Sequence, residues 1–425
     1  MSSQPYTSSR AIWLIAIAYA LLIAYGSLFP LSGWSAPAGD LFAFLTAKLP
    51  DHFGRSDIVL NVLVYMPVGL LFMLALKNNS SPIFSIILAS IIGTLLSFSM
   101  ETIQVYLPNR TPSVIDLITN AFGSFLGAGL GGMFHKNTLS GQKIISLRNQ
   151  YFVEGSWVNM GLLIIALWAL MHLSPIVVTL DIGKIREGLA PTWHLLQDPT
   201  LFRGYSFFSS FMFFIGLNII VRQIVNPGRP ATLIFVLFSL AVMLAKVFVI
   251  SRQISPEQLL ALFTATIFTT FLSNPRTNAA SKIAFLAVII GYILSELAPG
   301  TGLPGYKFNW IPFSDQNANL NGVSSILENI WPFMAAGYLV HISIQEKMRN
   351  FAIIAGGIFV VSFSFTMEWL QQEVPGRSAD ISSVLVALAG WTVPLSRRLN
   401  PFASPAHETD TSKENQFTHR LRGTR

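Results

Sequence analysis

Long apolar blocks separated by short polar stretches set the plan of this chain. Segments 11–33, 82–100 and 231–245 contain no Asp, Glu, Lys or Arg. A bilayer core asks for about 20 consecutive apolar helical residues. Only helices and closed barrels satisfy every backbone group in lipid. A barrel would show alternating segments of roughly 10 residues, and nothing here alternates that way. The pattern predicts an all-α, polytopic integral membrane helical bundle of about twelve transmembrane helices. They are expected at 11–33, 57–76, 82–105, 112–134, 157–179, 205–225, 231–250, 257–273, 282–298, 323–345, 350–372 and 379–395. From 399 to 425 the chain is polar and reads as a disordered cytoplasmic tail.

Composition sharpens this picture. Of 425 residues, 11% are charged and 52% hydrophobic, and the mean hydropathy is +0.56. A soluble domain carries roughly 25% charged residues, so these charges are too few to clothe a water-facing surface. Ala36-Pro37-Ala38 resembles a signal-peptide cleavage site, but the apolar run 11–29 exceeds the usual h-region of roughly 7–15 residues. A retained helix is expected there. The absence of cysteine excludes disulfides, thiolate chemistry and Cys-based metal sites, and says little about compartment.

The net charge of +7 reads as loop charge serving topology, with no nucleic-acid partner expected. With the N-terminus inside, the inner segments carry Arg10, Lys77, Lys136, Lys143, Arg148, Arg222, Arg229, Arg276, Lys282, Lys347, Arg349 and, beyond the last span, six basic residues from Arg397 to Arg425, 17 together. The outer segments carry Lys48, Arg55, Arg110, Lys184, Arg186, Arg203, Arg252, Lys307 and Arg377, nine together. The bias predicts a cell-membrane protein with both termini cytoplasmic.

The chain also repeats itself. Residues 97–110 read SFSMETIQVYLPNR and residues 364–377 read SFTMEWLQQEVPGR. Upstream, Asn61, Met66 and Gly69 match Asn329, Met334 and Gly337; downstream, Gly123 and Gly390 both lie 13 residues past the arginine. A fainter third copy sits between them, with Arg252 and Ser239 at matching offsets and Gly216 upstream in the place of Gly69, but with Met243 and Lys246 where the other copies have Glu and Gln. The expected organisation is a four-helix unit at 1–135, a middle four-helix region at 136–280, a second unit at 281–398 and the tail at 399–425. Four helices per unit would give every unit the same orientation.

The first copy, Asn61…Pro67-x-Gly69, then Glu101-x-x-Gln104-x-x-x-Pro-x-Arg110, Asp116, Asn120, Gly123 and Gly127, resembles the VanZ-like family over roughly residues 11–134. The second copy resembles it over roughly 282–395. The family takes its name from an accessory teicoplanin-resistance protein. The resemblance implies a multi-helix membrane module tied to the cell envelope and, at family level, to antibiotic resistance; it implies no particular reaction. The second copy departs from the pattern: Ala335 replaces the proline, Ser383 the aspartate and Ala387 the asparagine, while Asp380 stands three residues before Ser383.

The candidate site follows from spacing. Glu101 and Gln104 share a helix face. Asp116, Asn120, Gly123 and Gly127 form a seam along one helix, and the glycines let a neighbour approach closely. Asn61, Glu101, Gln104, Arg110, Asp116 and Asn120 are expected to gather in one outward-opening polar pocket, with Asn329, Glu368, Gln371, Arg377 and Asp380 as the second-copy candidates. Glu101 and Asp116 are the candidate acid–base residues. The blander reading makes Thr111-Pro112 a helix cap and Arg110 a clamp on Glu101 or Asp116. Lys246 is expected to snorkel, His172 and His341 to be helix-end residues, and the aromatic run from Tyr205 to face lipid. The seven His do not cluster at ligand spacing, so neither a metal site nor a cofactor is expected. There is no phosphate-binding loop, dinucleotide fingerprint or serine elbow.

Three functions remain open on these grounds. One is a module binding an envelope lipid or glycan precursor at the outer leaflet, among membrane lipids. Another is an intramembrane enzyme acting on such a lipid with Glu101 as acid or base. A secondary transporter is the third, weakened because its site would be expected near the midplane.

Overall fold

A computed structural model of the chain describes residues 9–29, 31–37, 39–47, 55–76, 81–135, 138–174, 179, 181–272, 274–300, 307–314 and 322–395. In chain order the helices are α1 (Ser9–Leu28), α2 (Ala43–Thr46), α3 (Arg55–Leu76), α4 (Pro82–Gln104), α5 (Val114–Met133), α6 (Leu139–Tyr151), α7 (Ser156–Leu173), α8 (Ile182–Gln197), α9 (Gly204–Ile224), α10 (Ala231–Ala245), α11 (Pro256–Thr270), α12 (Asn278–Glu296), α13 (Gly322–Ser343), α14 (Arg349–Gln371) and α15 (Ile381–Leu395). Short 3₁₀ turns cover Pro199–Leu201, Lys246–Phe248 and Glu346–Met348.

The protein is a helical membrane bundle. Among the described residues eight helices are long and apolar enough to cross a membrane: α3, α4, α5, α7, α9, α12, α14, and α10 with its 3₁₀ turn. The other four expected spans correspond to α1, α11, α13 and α15. The apolar pattern did not anticipate α2, α6 and α8. The third is amphipathic. Ile182, Leu189, Trp193 and Leu196 are exposed along one face, while Gly188 on the other accepts the Ile254 amide at 2.9 Å. Such a stripe has a period of 3.6 without the length or mean hydropathy of a span. The expected cytoplasmic tail, Lys48, Lys77 and Lys136 lie outside the described residues.

The chain divides into two compact units, Met1–Tyr151 with Phe313–Gly322, and Phe152–Pro312 with Val323–Arg425. In the first unit α3 packs on α1, α4 and α5, around buried Ala16, Tyr65, Val68, Met73, Ala89 and Ala128. The α3–α5 contact is backbone against backbone. A methyl group on Gly127 would collide with the Met66 carbonyl, and one on Gly69 with that of Ser124. This is the close approach that small residues permit between membrane helices. On α4 the far face shows Ile83, Ile87, Ile91 and Leu95, an exposed apolar row at fourfold spacing suited to lipid tails.

In the second unit α9 is central. From Phe214 to Val221 every residue is buried, as expected of a helix apolar all round, and α7, α10, α11 and α12 pack against it. Trp331 is fully buried, and its indole N–H donates to the Ile164 carbonyl at 2.9 Å. A second cluster joins Tyr292, Phe333 and Trp391.

Candidate functional site

In the first unit α4 stops at Gln104 and α5 begins after Ser113. Ser113 is the cap, in place of the expected Thr111-Pro112. Its backbone is extended (φ −138°, ψ 127°), and its hydroxyl accepts the amides of Ile115 and Asp116 at 3.2 and 3.4 Å. The amide of Ser113 itself donates to Oε2 of Glu101 at 2.8 Å. Glu101, 4% exposed, therefore ties the end of α4 to the start of α5. A carboxylate accepting a backbone N–H at a helix N-terminus is a charge-assisted bond.

Asp116 is half-buried in the first turn of α5, where a negative charge is favoured. Its carboxylate is hydrogen-bonded by the Asn61 side chain and lies within the electrostatic reach of Asp57 and Glu101. One turn on, buried Asn120 donates to Ser97 Oγ at 3.0 Å, and Ser97 is also hydrogen-bonded to the Tyr65 side chain. The Asn120 carbonyl oxygen is buried without a partner. Among the described residues neither Glu101 nor Asp116 has an ion-pair partner.

Two of the six candidates turn elsewhere. Gln104 Nε2 donates to the Ser27 carbonyl at 2.9 Å. Arg110 donates through Nε and Nη2 to Phe29 O at 3.1 and 2.9 Å, and through Nη2 to Gly26 O at 3.0 Å. Arg110 is a clamp, but on the end of α1 rather than on a carboxylate. The last carbonyls of a helix have no partner within it, and a guanidinium brings a fork of donors that fits two of them.

The same arrangement stands in the second unit. Glu368, 2% exposed, accepts the Asp380 amide at 2.9 Å. Asp380 caps α15, its Oδ1 accepting the Ser383 amide at 3.0 Å. Asp380 thus fills the role of Ser113, not that of Asp116. Arg377 donates to Ala298 O at 3.3 Å and to Ser295 O, and Gln371 donates to Glu296 Oε2 at 2.5 Å. Asn329 bonds to Tyr292 and to Ser325 O, at 3.3 and 3.1 Å.

Between these two, Arg252 donates to Ser174 O at 2.5 Å and to Met171 O at 3.3 Å, at the end of α7. Ser255 caps α11. Lys246 does not snorkel. It is 5% exposed, and Nζ donates to Gln258 Oε1 at 2.8 Å. It lines a cavity of ≈ 210 Å³ together with Arg252, Arg377, Glu296, Glu328 and His172. The aromatic run from Tyr205 is divided in consequence: Tyr205 and Phe208 are exposed, whereas Ser209, Ser210 and Phe214 face inward to this cavity. Reading the sequence missed Glu296 and Glu328, which carry no repeat signature, and Gln258; Lys246, Arg252 and Gln258 stand at repeat offsets, which were the available signal.

Residues 10–135 match the model of the VanZ-LLP1 family, described as VanZ/LLP1. The matched stretch holds α1 to α5 and all six first-copy candidates, and this part of the chain is VanZ-like. No curated protein and no solved structure matches the chain.

Proposed function

We propose that this multi-pass membrane protein, VanZ-like over residues 10–135, binds the hydroxylated headgroup of an envelope lipid or glycan precursor through Asp116 and Asn61. The observation that carries the reading is a carboxylate cluster with no cation paired to it among the described residues. An ionised carboxylate only accepts hydrogen bonds. With Arg110 committed to α1, the acceptor positions that Asn61 leaves open on Asp116 suit donors from a ligand, and sugar or glycerol hydroxyls supply them. Glu101 holds the start of α5 and so positions Asp116; Asn120 offers its unpartnered oxygen behind it. With the N-terminus inside, this layer lies at the outer leaflet, and reporter fusions after Asn109 and Gly376 read as external.

The test is native mass spectrometry of the full chain in mild detergent, with identification of the lipid that co-purifies. A hydroxyl-rich lipid is expected, its retention falling about tenfold in Asp116→Asn, since a hydrogen bond to a charged group contributes about 1.5–3 kcal/mol. A protein that retains no such lipid, or retains it equally in the variant, overturns the reading.

A second reading has one observation in its favour. Glu101 and Asp116 are close enough to feel each other's charge, as paired acid–base carboxylates do. On that reading the co-purified lipid is a substrate, and Glu101→Gln lowers its turnover by roughly two orders of magnitude while leaving its binding intact.

A further inference from the structure

A cavity in the second unit shares no lining residue with the acidic site just described. Its walls come from α7, α9, α11, α12, α13, the stretch from Lys246 to Arg252 and the segment carrying Arg377. A volume of ≈ 210 Å³ is far above the roughly 10–15 Å³ that one water needs.

Its charges do not cancel. Lys246, Arg252 and Arg377 face Glu296 and Glu328, three cations against two carboxylates. The two ion pairs are loose, Arg252 to Glu328 at 3.7 Å and Arg377 to Glu296 at 3.9 Å. Lys246 is left over. Among the described residues it has no carboxylate within ion-pair distance, and its hydrogen bond goes to the neutral amide of Gln258. An ammonium carries three donors, and a buried cation is costly unless it is paired. Ser209 and Ser210, buried at the same wall, add hydroxyl donors.

The sequence repeat explains how this charge arises. Counting from Arg110, Arg252 and Arg377, the position nine residues back holds Glu101, Met243 and Glu368; six back it holds Gln104, Lys246 and Gln371. The middle copy has lost one negative charge and gained one positive. Six residues forward, Gln258 stands where Asp116 does, so the residue that touches Lys246 is also neutral. Both flanking copies keep Glu and Gln at the first two offsets, so Met243 and Lys246 are two changes of one sign peculiar to the middle copy; at the third offset the second copy is neutral as well, with Ser383.

We propose that this cavity binds a phosphate group, with Lys246 as its principal ligand and Arg252 and Arg377 completing a cationic wall. The phosphate arrives either on a lipid headgroup or as the free ion.

The full chain, purified in a maltoside detergent without phosphate, is titrated with inorganic phosphate and separately with micelles doped with phosphatidic acid, and thermal stability and affinity are recorded. Stabilisation by both probes places the free anion in the site; stabilisation by the doped micelles alone assigns the phosphate to a lipid. In either case Lys246→Gln, which installs the residue of the flanking copies, weakens binding at least tenfold, and Lys246→Arg restores part of it. Gln258→Glu keeps the shape and gives Lys246 an internal counter-ion. It should abolish the response without loss of thermal stability, so that a folding defect in the first variant does not decide the matter. The exposed Lys184→Gln leaves binding unchanged. A wild-type protein that responds to neither probe, or Lys246→Gln and Gln258→Glu proteins that bind as the wild type does, overturns the proposal.

Discussion

Glu101 and Lys246 stand at the ends of matching apolar helices and meet opposite surroundings. In the first unit the end of α4 carries a carboxylate that grips the next helix through the Ser113 amide, and the groups beside it are the acidic Asp116 with Asn61 and the Ser97–Asn120 pair. In the second unit the end of α10 carries buried Met243 and an ammonium whose only close partner among the described residues is Gln258, and the space around it is open. The arginine clamp is the same in both, Arg110 on the end of α1 and Arg252 on the end of α7. The comparison teaches that the clamp belongs to the scaffold and the polar groups beside it are what vary. The charge beside the clamp changes sign without altering how the helices are joined.

Breaking the scaffold should have the largest effect. Gly127→Leu drives a side chain into the Met66 carbonyl, and Gly390→Leu drives one into that of Ile330. Overpacking of this kind costs about 3 kcal/mol or more, read as loss of monodisperse protein on size-exclusion chromatography. Gly129 has nothing within 4 Å of the position a methyl would take, and Gly129→Ala should behave as the wild type. Equal yields for the leucine and alanine variants would remove the close α3–α5 contact from the argument.

The clamp comes next. Arg110→Ala, Arg252→Ala and Arg377→Ala each free two helix-end carbonyls. Each should lower stability by about 2–3 kcal/mol, seen as a fall in Tm of similar size in all three. If only one of them matters, the clamp is not a shared scaffold feature.

Smaller effects separate the carboxylates. Glu101→Ala and Glu368→Ala leave the amides of half-buried Ser113 and buried Asp380 unsatisfied, costing about 1–3 kcal/mol. Glu101→Gln and Glu368→Gln keep an acceptor oxygen and should recover most of that loss in the same melting experiment. A glutamine variant as unstable as the alanine would show that the charge, not the hydrogen bond, holds the helix start.

The smallest effect is expected at the surface. Lys184 and Glu187 pair at 2.9 Å, both well exposed. Exposed pairs contribute little, and neutralising either residue should leave Tm unchanged.

The amino-acid sequence by itself determined the helical membrane class, because span length and the absence of charge act locally and need no partner. It also determined the offsets that align Glu101 with Glu368 and Arg110 with Arg377. It placed Asp116 and Asn120 on one seam through helical periodicity alone, and the VanZ-like resemblance of residues 10–135 is legible there too. What each polar group touches was decided only by tertiary structure. Arg110 is as near in sequence to Glu101 and Asp116 as to anything, yet it reaches carbonyls 81 and 84 residues away. A guanidinium goes to whichever unsatisfied acceptors packing brings within its reach, and the end of α1 is brought there by α3 and α4. Lys246 reads as a snorkelling residue because its position near a helix end is visible, whereas the neighbours that enclose it are not. The cavity is set by helices from across the second unit, and a void of that kind depends on how side chains from distant segments fail to fill the space between them.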